Sequence, residues 1–256
     1  TQGFDGIDID WEYPEAADRD NFTALLTETR QALNAKAAAD GRTYLLTLAS
    51  PAGDARLAAW DLPAVAAQVD WINIMTYDYH GGWDAVTGHL APLYENPAAP
   101  SAARATWNVA WAVGAYLDGG VPASKLHVGI PFYGRSWETV PSTDNGLFQA
   151  GTAGPNLSVA GNWENGVFDY WKVVALERGG GYSSCFDATS RTPFLYGPNL
   201  SSWLTSGGLF VTYESRASLA EKLALITSRD LGGVMFWELS GDMRDLEEAY
   251  ETNPRA

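Results

Sequence analysis

Five short runs of apolar and β-branched residues recur along the chain, and stretches with helical spacing lie between or after most of them. The runs are Gly3–Asp10, Thr43–Ala49, Trp71–Thr76, Leu126–Phe132 and Gly232–Trp237. Strands that are buried on both faces have near-continuous apolar sequences, and strands that alternate with helices are typical of a parallel sheet. The sequence therefore predicts an α/β fold built on five parallel strands.

The clearest helical pattern spans Asp20–Ala39, where apolar residues recur with the spacing of one helix face. Weaker patterns lie at Pro63–Val69, Ala102–Asp118 and Ser218–Arg229. Pro63 suits the first turn of a helix, where a missing backbone N–H costs nothing. We expect a helix at each of these four positions.

The segment from Gly134 to about Tyr213 interrupts this alternation, because it is rich in Gly, Ser, Thr and aromatic residues and has no long helical period. Its short apolar runs are typical of antiparallel strands. They lie at Val167–Val173, Phe186–Leu195 and Gly208–Thr212. The segment is predicted to form an inserted α+β lobe between two parallel strands.

The first strand carries three carboxylates, Asp8, Asp10 and Glu12, at alternating positions. Alternate side chains of a strand point to the same face, while Ile7, Ile9 and Trp11 point to the other, where helices can cover them. Carboxylates a few Å apart cannot all ionise, and a carboxyl group that keeps its proton can act as a general acid. In a parallel barrel the chemistry lies at the C-terminal strand ends, to which Glu12 is nearest.

The spacing of these acids leaves two other interpretations open. A DxDxE set could bind a hard divalent cation through its oxygen atoms. The three carboxylates could also form a solvated acidic face with no chemical role.

The charge of the chain excludes several partners. It has 31 Asp and Glu against 16 Lys and Arg, a formal net charge of −15. Nucleic acids and anionic membrane surfaces attract the opposite charge, and no apolar run is long enough to span a bilayer. We therefore expect a neutral, cationic or small-molecule partner.

Cys185 has no partner for an intrachain disulfide, because it is the only cysteine in the sequence. The three His residues lack the spacing of a metal site, and no cofactor is predicted.

Four ordered motifs resemble one family of enzymes. DGIDIDWE (Asp5–Glu12) resembles the DGxDxDxE signature of glycoside hydrolase family 18, the chitinases. Three further segments are similar to the sixth, seventh and eighth strand regions of that family: MTYDYHGGWD (Met75–Asp84), GIPFYGRSW (Gly129–Trp137) and GGVMFWELSGD (Gly232–Asp242).

The resemblance implies a (β/α)8 TIM barrel with an α+β insertion between strands 7 and 8. The signature belongs to the fourth strand, so the first three βα units would be missing and the chain would be a fragment with two unpaired sheet edges. The implied domains are residues 1–133 (strands 4–7), residues 134–213 (the lobe) and residues 214–256 (the last helix, strand 8 and a C-terminal helix).

The resemblance also implies a substrate-assisted mechanism, in which the acetamido oxygen of the sugar attacks the anomeric carbon and the configuration is retained. Glu12 would protonate the leaving oxygen. Asp10 would orient the acetamido group, and Asp8 would share its proton. The hydroxyl of Tyr77 would bond to the acetamido oxygen.

Six further positions match residues of the family that contact the sugar: Asp78, Met75, Tyr133, Arg135, Trp237 and Trp83. Trp83 would lie on the leaving-group side, and Trp237 would form the floor on which the sugar stacks. Tyr133 and Arg135 would contact sugar or anchor the lobe through a carboxylate. Met75 is equally compatible with ordinary barrel packing. For Trp237 a core position is the less favoured alternative.

The implied function is hydrolysis of β-1,4-linked N-acetylglucosamine polymers, namely chitin or chitooligosaccharides. Two alternatives remain: an endo-β-N-acetylglucosaminidase with the same mechanism, and a chitin-binding lectin without turnover. Lectins of this family usually lose the acid at the position of Glu12, which is present here. Since the polymer is extracellular, we expect the protein to be secreted; the sequence does not indicate its oligomeric state.

Overall fold

The computed structural model describes residues 3–155, 164–200 and 206–242. Its α-helices are α1 (Arg19–Asp40), α2 (Asp54–Leu57), α3 (Leu62–Gln68), α4 (Val109–Asp118), α5 (Tyr170–Arg178) and α6 (Arg216–Ser228). Its strands are β1 (Gly6–Ile9), β2 (Leu45–Ser50), β3 (Trp71–Ile74), β4 (Leu126–Pro131), β5 (Tyr133–Val140), β6 (Thr152–Ala153), β7 (Val167–Asp169), β8 (Ser183–Asp187), β9 (Thr192–Pro198), β10 (Gly208–Thr212) and β11 (Gly233–Trp237). The helix predicted after the last strand lies within residues 243–256, outside the described residues.

One sheet contains all five predicted apolar strands, in the order β1-β2-β3-β4-β11. The pairs β1–β2, β2–β3 and β3–β4 are parallel, so the predicted α/β architecture is confirmed. Among the described strands, β1 and β11 are the two edges, and the sheet does not close into a barrel. Ile7, Val234 and Phe236 on these edge strands are exposed, as expected of an open arc.

The centre of this sheet is apolar because β2 and β3 are covered by helices. Their fully buried side chains are Leu46, Leu48, Ile72 and Ile74. Helix α1 packs against both α3 and β2, and it buries Phe22 and Leu26. It ends at Gly41, whose φ of 68° is the left-handed conformation that a helix C-terminus commonly needs.

Helix α4 begins seven residues later than predicted. The side chain of Asn108 accepts a hydrogen bond from the Trp111 backbone N–H (2.9 Å) and caps the first turn of the helix. Upstream, Ser101 holds a separate turn through bonds to the backbone N–H groups of Ala103 and Arg104. The prediction that the helix starts at Ala102 is wrong, because local side-chain bonds compete with helix formation there.

The second sheet is antiparallel, with the order β6-β5-β10-β9-β8 and with β7 paired to β5. It confirms the antiparallel strands predicted for the lobe, and β10 has the predicted bounds. The run Phe186–Leu195 is wrong as a single strand, because Asp187 binds the N–H of Thr189 and starts a turn between β8 and β9. The run Val167–Val173 is also wrong as a strand: it becomes helix α5 at Tyr170.

The core of the lobe follows the alternation of β10. Leu209 and Val211 lie in one cluster with Phe168 of β7 and Val173 of α5. Phe210, between them, lies in a second cluster with Trp137, Val140 and Phe194. The two faces of this strand are therefore both buried, which explains the uninterrupted apolar run in its sequence.

The contacts of the chain divide it into two compact units. The sheet unit consists of Thr1–Thr76, Ala105–Gly129 and Lys222–Met235, and the lobe unit consists of Tyr77–Arg104, Ile130–Glu221 and Phe236–Ala256. The long connection after β3 therefore belongs with the inserted lobe.

One buried network shows how this connection is held within the lobe unit. Asp187 Oδ2 accepts hydrogen bonds from His89 Nε2 (3.0 Å), Asn96 Nδ2 (2.8 Å) and Ser190 Oγ (2.6 Å). The side chains of His89 and Asp187 are almost completely buried. Burial would raise the pKa of Asp187, but these three hydrogen bonds hold that pKa well below its ordinary value.

Within the described residues, no helix has both the length and the apolar character needed to cross a membrane.

Candidate active site

The acidic signature lies on and after β1, in the sheet unit. Asp8 is within the strand, Asp10 directly follows it, and Glu12 lies two residues further on. Thr47 is the register partner of Asp8 on β2, and its hydroxyl donates a hydrogen bond to Asp8 Oδ1. All three acids are exposed. The parallel register thus supplies Asp8 with a neutral donor on the same face.

Of the residues of opposite parity, Ile9 is half-buried, while Ile7 and Trp11 remain exposed on this edge strand. The ring of Trp11 meets Phe22 of α1 edge to face at 5.9 Å, and Phe22 in turn contacts Trp60 at 4.7 Å. Aromatic contacts therefore anchor the chain between Asp10 and Glu12 to the helical layer.

Met75 and its neighbour Thr76 extend β3 in the same unit. The backbone N–H of Met75 donates to the Ser50 carbonyl (2.9 Å), and the side chain of Met75 is half-buried. Thr76 is fully buried and donates its hydroxyl to the carbonyl of Gly129 (2.8 Å). The backbone around Met75 is thus fixed on both neighbouring strands.

A second group of predicted residues lies in the lobe unit and is centred on Asp78. Its Oδ1 accepts from the Tyr133 hydroxyl (2.8 Å) and from Arg135 Nε (2.6 Å), and its Oδ2 accepts from Arg135 Nη2 (2.7 Å). Burial raises the pKa of Tyr133 well above its ordinary value, and the neighbouring Asp78 raises it further. Burial opposes the charge of Arg135, but its bonds to Asp78 raise the pKa of the guanidinium on balance.

The backbone of Asp78 has a φ of 58°, a conformation that residues other than glycine adopt rarely. Strained positions of this kind persist only where the surrounding contacts fix them, and they cluster at functional sites. The two hydrogen-bonding partners of its carboxylate, Tyr133 and Arg135, provide such contacts.

Tyr77 and Trp83 lie beside this ion pair. The ring of Tyr77 meets that of Tyr133 edge to face at 6.2 Å and packs against the buried cluster to which Tyr133 and Leu90 belong. The guanidinium carbon of Arg135 lies 4.6 Å from the ring centre of Trp83, which is 57% exposed. The structure therefore brings together Tyr77, Asp78, Trp83, Tyr133 and Arg135 in one cluster.

Trp237 ends β11 in the lobe unit and is 50% exposed, so it is not a core residue. Its carbonyl accepts from the N–H of Phe132 (2.7 Å), while the preceding side chain, Phe236, stacks on the Phe132 ring at 4.8 Å. The strand is thereby fixed through its backbone and its other side chains, and the indole of Trp237 remains accessible.

Two residues of these groups were not predicted. Thr47 could have been found from the parallel register, since it is the cross-strand neighbour of Asp8. Glu164 lies with Oε1 3.6 Å from Arg135 Nη1 and comes from a distant part of the lobe, for which the sequence carries no signal.

The described part of the chain offers no support for the metal interpretation. Within residues 3–155, 164–200 and 206–242, no group of three or more His, Cys, Asp or Glu side chains is placed to hold a metal ion.

Comparisons with known proteins agree with these observations. The chain matches Glycosyl hydrolases family 18 over residues 1–242. It is 43% identical over 253 residues to Chitinase A1 of Niallia circulans, covering 93% of this chain and 35% of that protein. The fold resembles a solved chitinase of Bacillus thuringiensis with a TM-score of 0.84 and 39% identity, over 95% of this chain and 41% of the other.

A further structural neighbour is human YKL-39, described as a pseudo-chitinase that retains chitooligosaccharide binding. The TM-score is 0.82 and the identity 26%, over 93% of this chain and 63% of that one. The chain spans from about a third to just over half the length of the first curated relatives it matches.

Proposed function

The chain belongs to glycosyl hydrolase family 18, and from this we propose that it hydrolyses β-1,4-linked N-acetylglucosamine polymers, chitin or chitooligosaccharides. The observation that carries the proposal is the intact acidic signature: Asp8, Asp10 and Glu12 are all present, Asp8 lies on β1, and Asp10 directly follows that strand. The chitinases that share up to 43% identity with the chain support the same substrate class.

In the proposed reaction Glu12 gives a proton to the glycosidic oxygen as the bond to the anomeric carbon breaks. The acetamido oxygen of the same sugar forms a bond to that carbon and yields an oxazolinium ion. Asp10 orients the acetamido group for this attack. Water then attacks the anomeric carbon and loses a proton to Glu12 while the bond from that carbon to the acetamido oxygen breaks; this restores the acetamido group and the acid. Two displacements at one carbon retain its configuration.

Asp8 is proposed to share a proton with Asp10, and Thr47 supports this role. The Thr47 hydroxyl donates a hydrogen bond to Asp8 Oδ1, and this bond orients the carboxyl group without adding charge. The two strands around it are held in parallel register, so the position of Asp8 is set by backbone pairing.

Tyr77 is proposed to donate its hydroxyl to the acetamido oxygen, and Asp78 to contact the sugar. Arg135 and Tyr133 use three hydrogen bonds to hold the Asp78 carboxylate. They therefore fit the anchoring role, in which the carboxylate is oriented before the substrate arrives.

Met75, Trp237 and Trp83 are proposed to contact sugar rings. Half of Trp237 and more than half of Trp83 are exposed, as stacking surfaces require. Met75 lies at the end of β3 with its side chain half-buried.

The five parallel strands are proposed to correspond to strands four to eight of the family's (β/α)8 barrel. In this assignment β4 is the seventh strand and β11 is the eighth. The antiparallel sheet, which lies between them in the chain, is the inserted lobe. Because chitin is an insoluble extracellular polymer, we also propose that the protein acts outside the cell.

The experiment that tests the proposal measures hydrolysis of chitohexaose by the chain and by Glu12→Gln. We expect cleavage by the unsubstituted chain, a loss of at least about 100-fold in Glu12→Gln, and unchanged folding of that variant by circular dichroism. Glu28→Gln is a matched control, since Glu28 is an exposed residue of α1 and the substitution removes the same charge. Binding without cleavage would instead favour a lectin.

A further inference from the structure

A four-residue turn, Gly81–Asp84, holds the exposed indole of Trp83 in a fixed place. The N–H of Asp84 donates to the Gly81 carbonyl (2.9 Å), and Asp84 Oδ2 lies 3.0 Å from His80 Nδ1. The carbonyl of Asp84 accepts from the indole N–H of Trp137 (2.9 Å), a fully buried residue of the lobe core. The turn is therefore attached to the interior of the lobe unit although its central side chain faces solvent.

One face of the Trp83 ring lies on Arg135. The guanidinium carbon is 4.6 Å from the ring centre, a distance at which a cation and an aromatic face attract each other. Arg135 is itself only 9% exposed and is held by two bonds to Asp78 and by Glu164 at 3.6 Å. The guanidinium cannot turn away without breaking these bonds, so it gives the indole a rigid backing.

Gly81 lies beside the contact between Trp83 and Arg135 and leaves no space there for a side chain. A Cβ atom at this position would lie 2.5 Å from Cη2 and Cζ3 of Trp83 and 2.8 Å from Cδ of Arg135. Adjacent Gly82 differs, since the nearest atom to its Cβ would be Cβ of Ala153, at 3.2 Å. Any side chain at position 81 must displace the six-membered ring of the indole.

We propose that Gly81 is a positioning residue that sets the plane of Trp83 against Arg135, so that the open face of the indole stacks on a sugar ring of the leaving-group side. This rests on the proposed function, and it adds the element that presents the stacking surface. In this role Gly81 contacts no substrate and acts through the position of the Trp83 ring on Arg135.

The test compares chitohexaose affinity and hydrolysis for the unsubstituted chain, Gly81→Ala, Trp83→Ala and the double variant. Each single variant is expected to bind chitohexaose about tenfold more weakly. KM rises by a similar factor while kcat changes less. Most of the effect of Gly81→Ala should disappear in the double variant, because the clash with the indole is then gone and only the 2.8 Å approach to Cδ of Arg135 remains. Gly114→Ala is the matched control, since a Cβ at Gly114 meets nothing within 4 Å.

A second measurement needs no ligand. The quenching of Trp83 fluorescence by acrylamide, obtained by subtracting the signal of Trp83→Phe, should change in Gly81→Ala while the melting temperature stays close to that of the unsubstituted chain. Unchanged affinity and quenching in Gly81→Ala would overturn the inference and leave the proposed function intact. A double variant that loses the product of both single effects would overturn it as well. If the unsubstituted chain neither binds nor cleaves chitohexaose, the proposed function fails, and the stacking role fails with it.

Discussion

Asp187→Asn tests how the long connection after β3 is fastened to the lobe. The carboxylate accepts three hydrogen bonds at Oδ2, from His89, Asn96 and Ser190, and one at Oδ1, from the backbone N–H of Thr189 (2.9 Å). The substitution keeps the size of the side chain and replaces one acceptor oxygen by an NH2 group. An asparagine can satisfy either the three donors or the Thr189 N–H, but not both sets.

The cost follows from these bonds. If the amide oxygen keeps the three donors, the bond from Thr189 is lost and the other bonds lose their charge assistance. Hydrogen bonds to charged groups contribute about 1.5–3 kcal/mol and neutral ones about 1 kcal/mol, so the lost bond from Thr189 alone costs roughly 2 kcal/mol, and the weakening of the other three bonds adds to this cost. For a chain of this size, each kcal/mol of lost stability lowers the melting temperature by roughly 2–4 °C, so the expected decrease is at least about 4–8 °C.

The pH dependence gives the sharper result. The pKa of Asp187 is lower in the folded protein than its unfolded value of about 3.9, so its ionised form stabilises the fold above that pH. As the pH falls below about 4, this contribution is progressively lost. The difference in melting temperature between the unsubstituted chain and Asp187→Asn should therefore shrink between pH 7 and pH 3.

Thermal melting followed by circular dichroism at both pH values checks this prediction. Asp144→Asn is the control, because Asp144 is an exposed lobe residue and loses the same charge. A decrease of the same size at pH 7 and pH 3, or no decrease at either, would refute the reasoning.

Two further predictions concern the lobe unit. Gly154→Ala should lower the melting temperature by several degrees, since its Cβ would lie 2.1 Å from Ser136 Oγ and overpacking costs about 1–3 kcal/mol. Gly53→Ala is the control, because a Cβ at Gly53 meets nothing within 4 Å and the substitution should be neutral. Equal melting temperatures of the two variants would contradict this prediction. Tyr133→Phe removes the 2.8 Å hydrogen bond to Asp78 and should reduce kcat/KM on chitohexaose about three- to tenfold, as measured by steady-state kinetics. An unchanged kcat/KM would show that Arg135 alone orients the Asp78 carboxylate.

The parallel strands could be predicted because their sequences are short apolar runs, which at β2 and β4 reflects burial of nearly every residue. Helix α5 could not, since Val173 and Val174 are buried against the lobe sheet and β-branched residues also favour strands. The turn that separates β8 from β9 depends on the Asp187 side chain, which accepts a hydrogen bond from the backbone N–H of Thr189. The apolar residues around Asp187 obscured this turn signal in the sequence.

The candidate site also contains residues that the sequence predicts and residues that only the folded structure brings together. Asp8 and the adjacent Asp10 follow from alternation along β1, and Thr47 follows from register. Glu12 was expected on the same strand but lies beyond its end at Ile9. The contacts of Asp78 with Tyr133 and Arg135 join positions more than 50 residues apart, and only the resemblance to the family indicated that Arg135 could hold a carboxylate. Glu164 and the fit of Trp83 over Gly81 depend on tertiary packing, which the sequence pattern does not encode.

The configuration of the first product tests the proposed chemistry most directly. Proton NMR spectra recorded during the first minutes of chitohexaose cleavage distinguish the β anomer from the α anomer before the two interconvert. Substrate-assisted attack by the acetamido oxygen, with Glu12 as acid and base, predicts an initial excess of the β anomer that is absent in Glu12→Gln. An initial excess of the α anomer, or cleavage that persists in Glu12→Gln, would contradict the account.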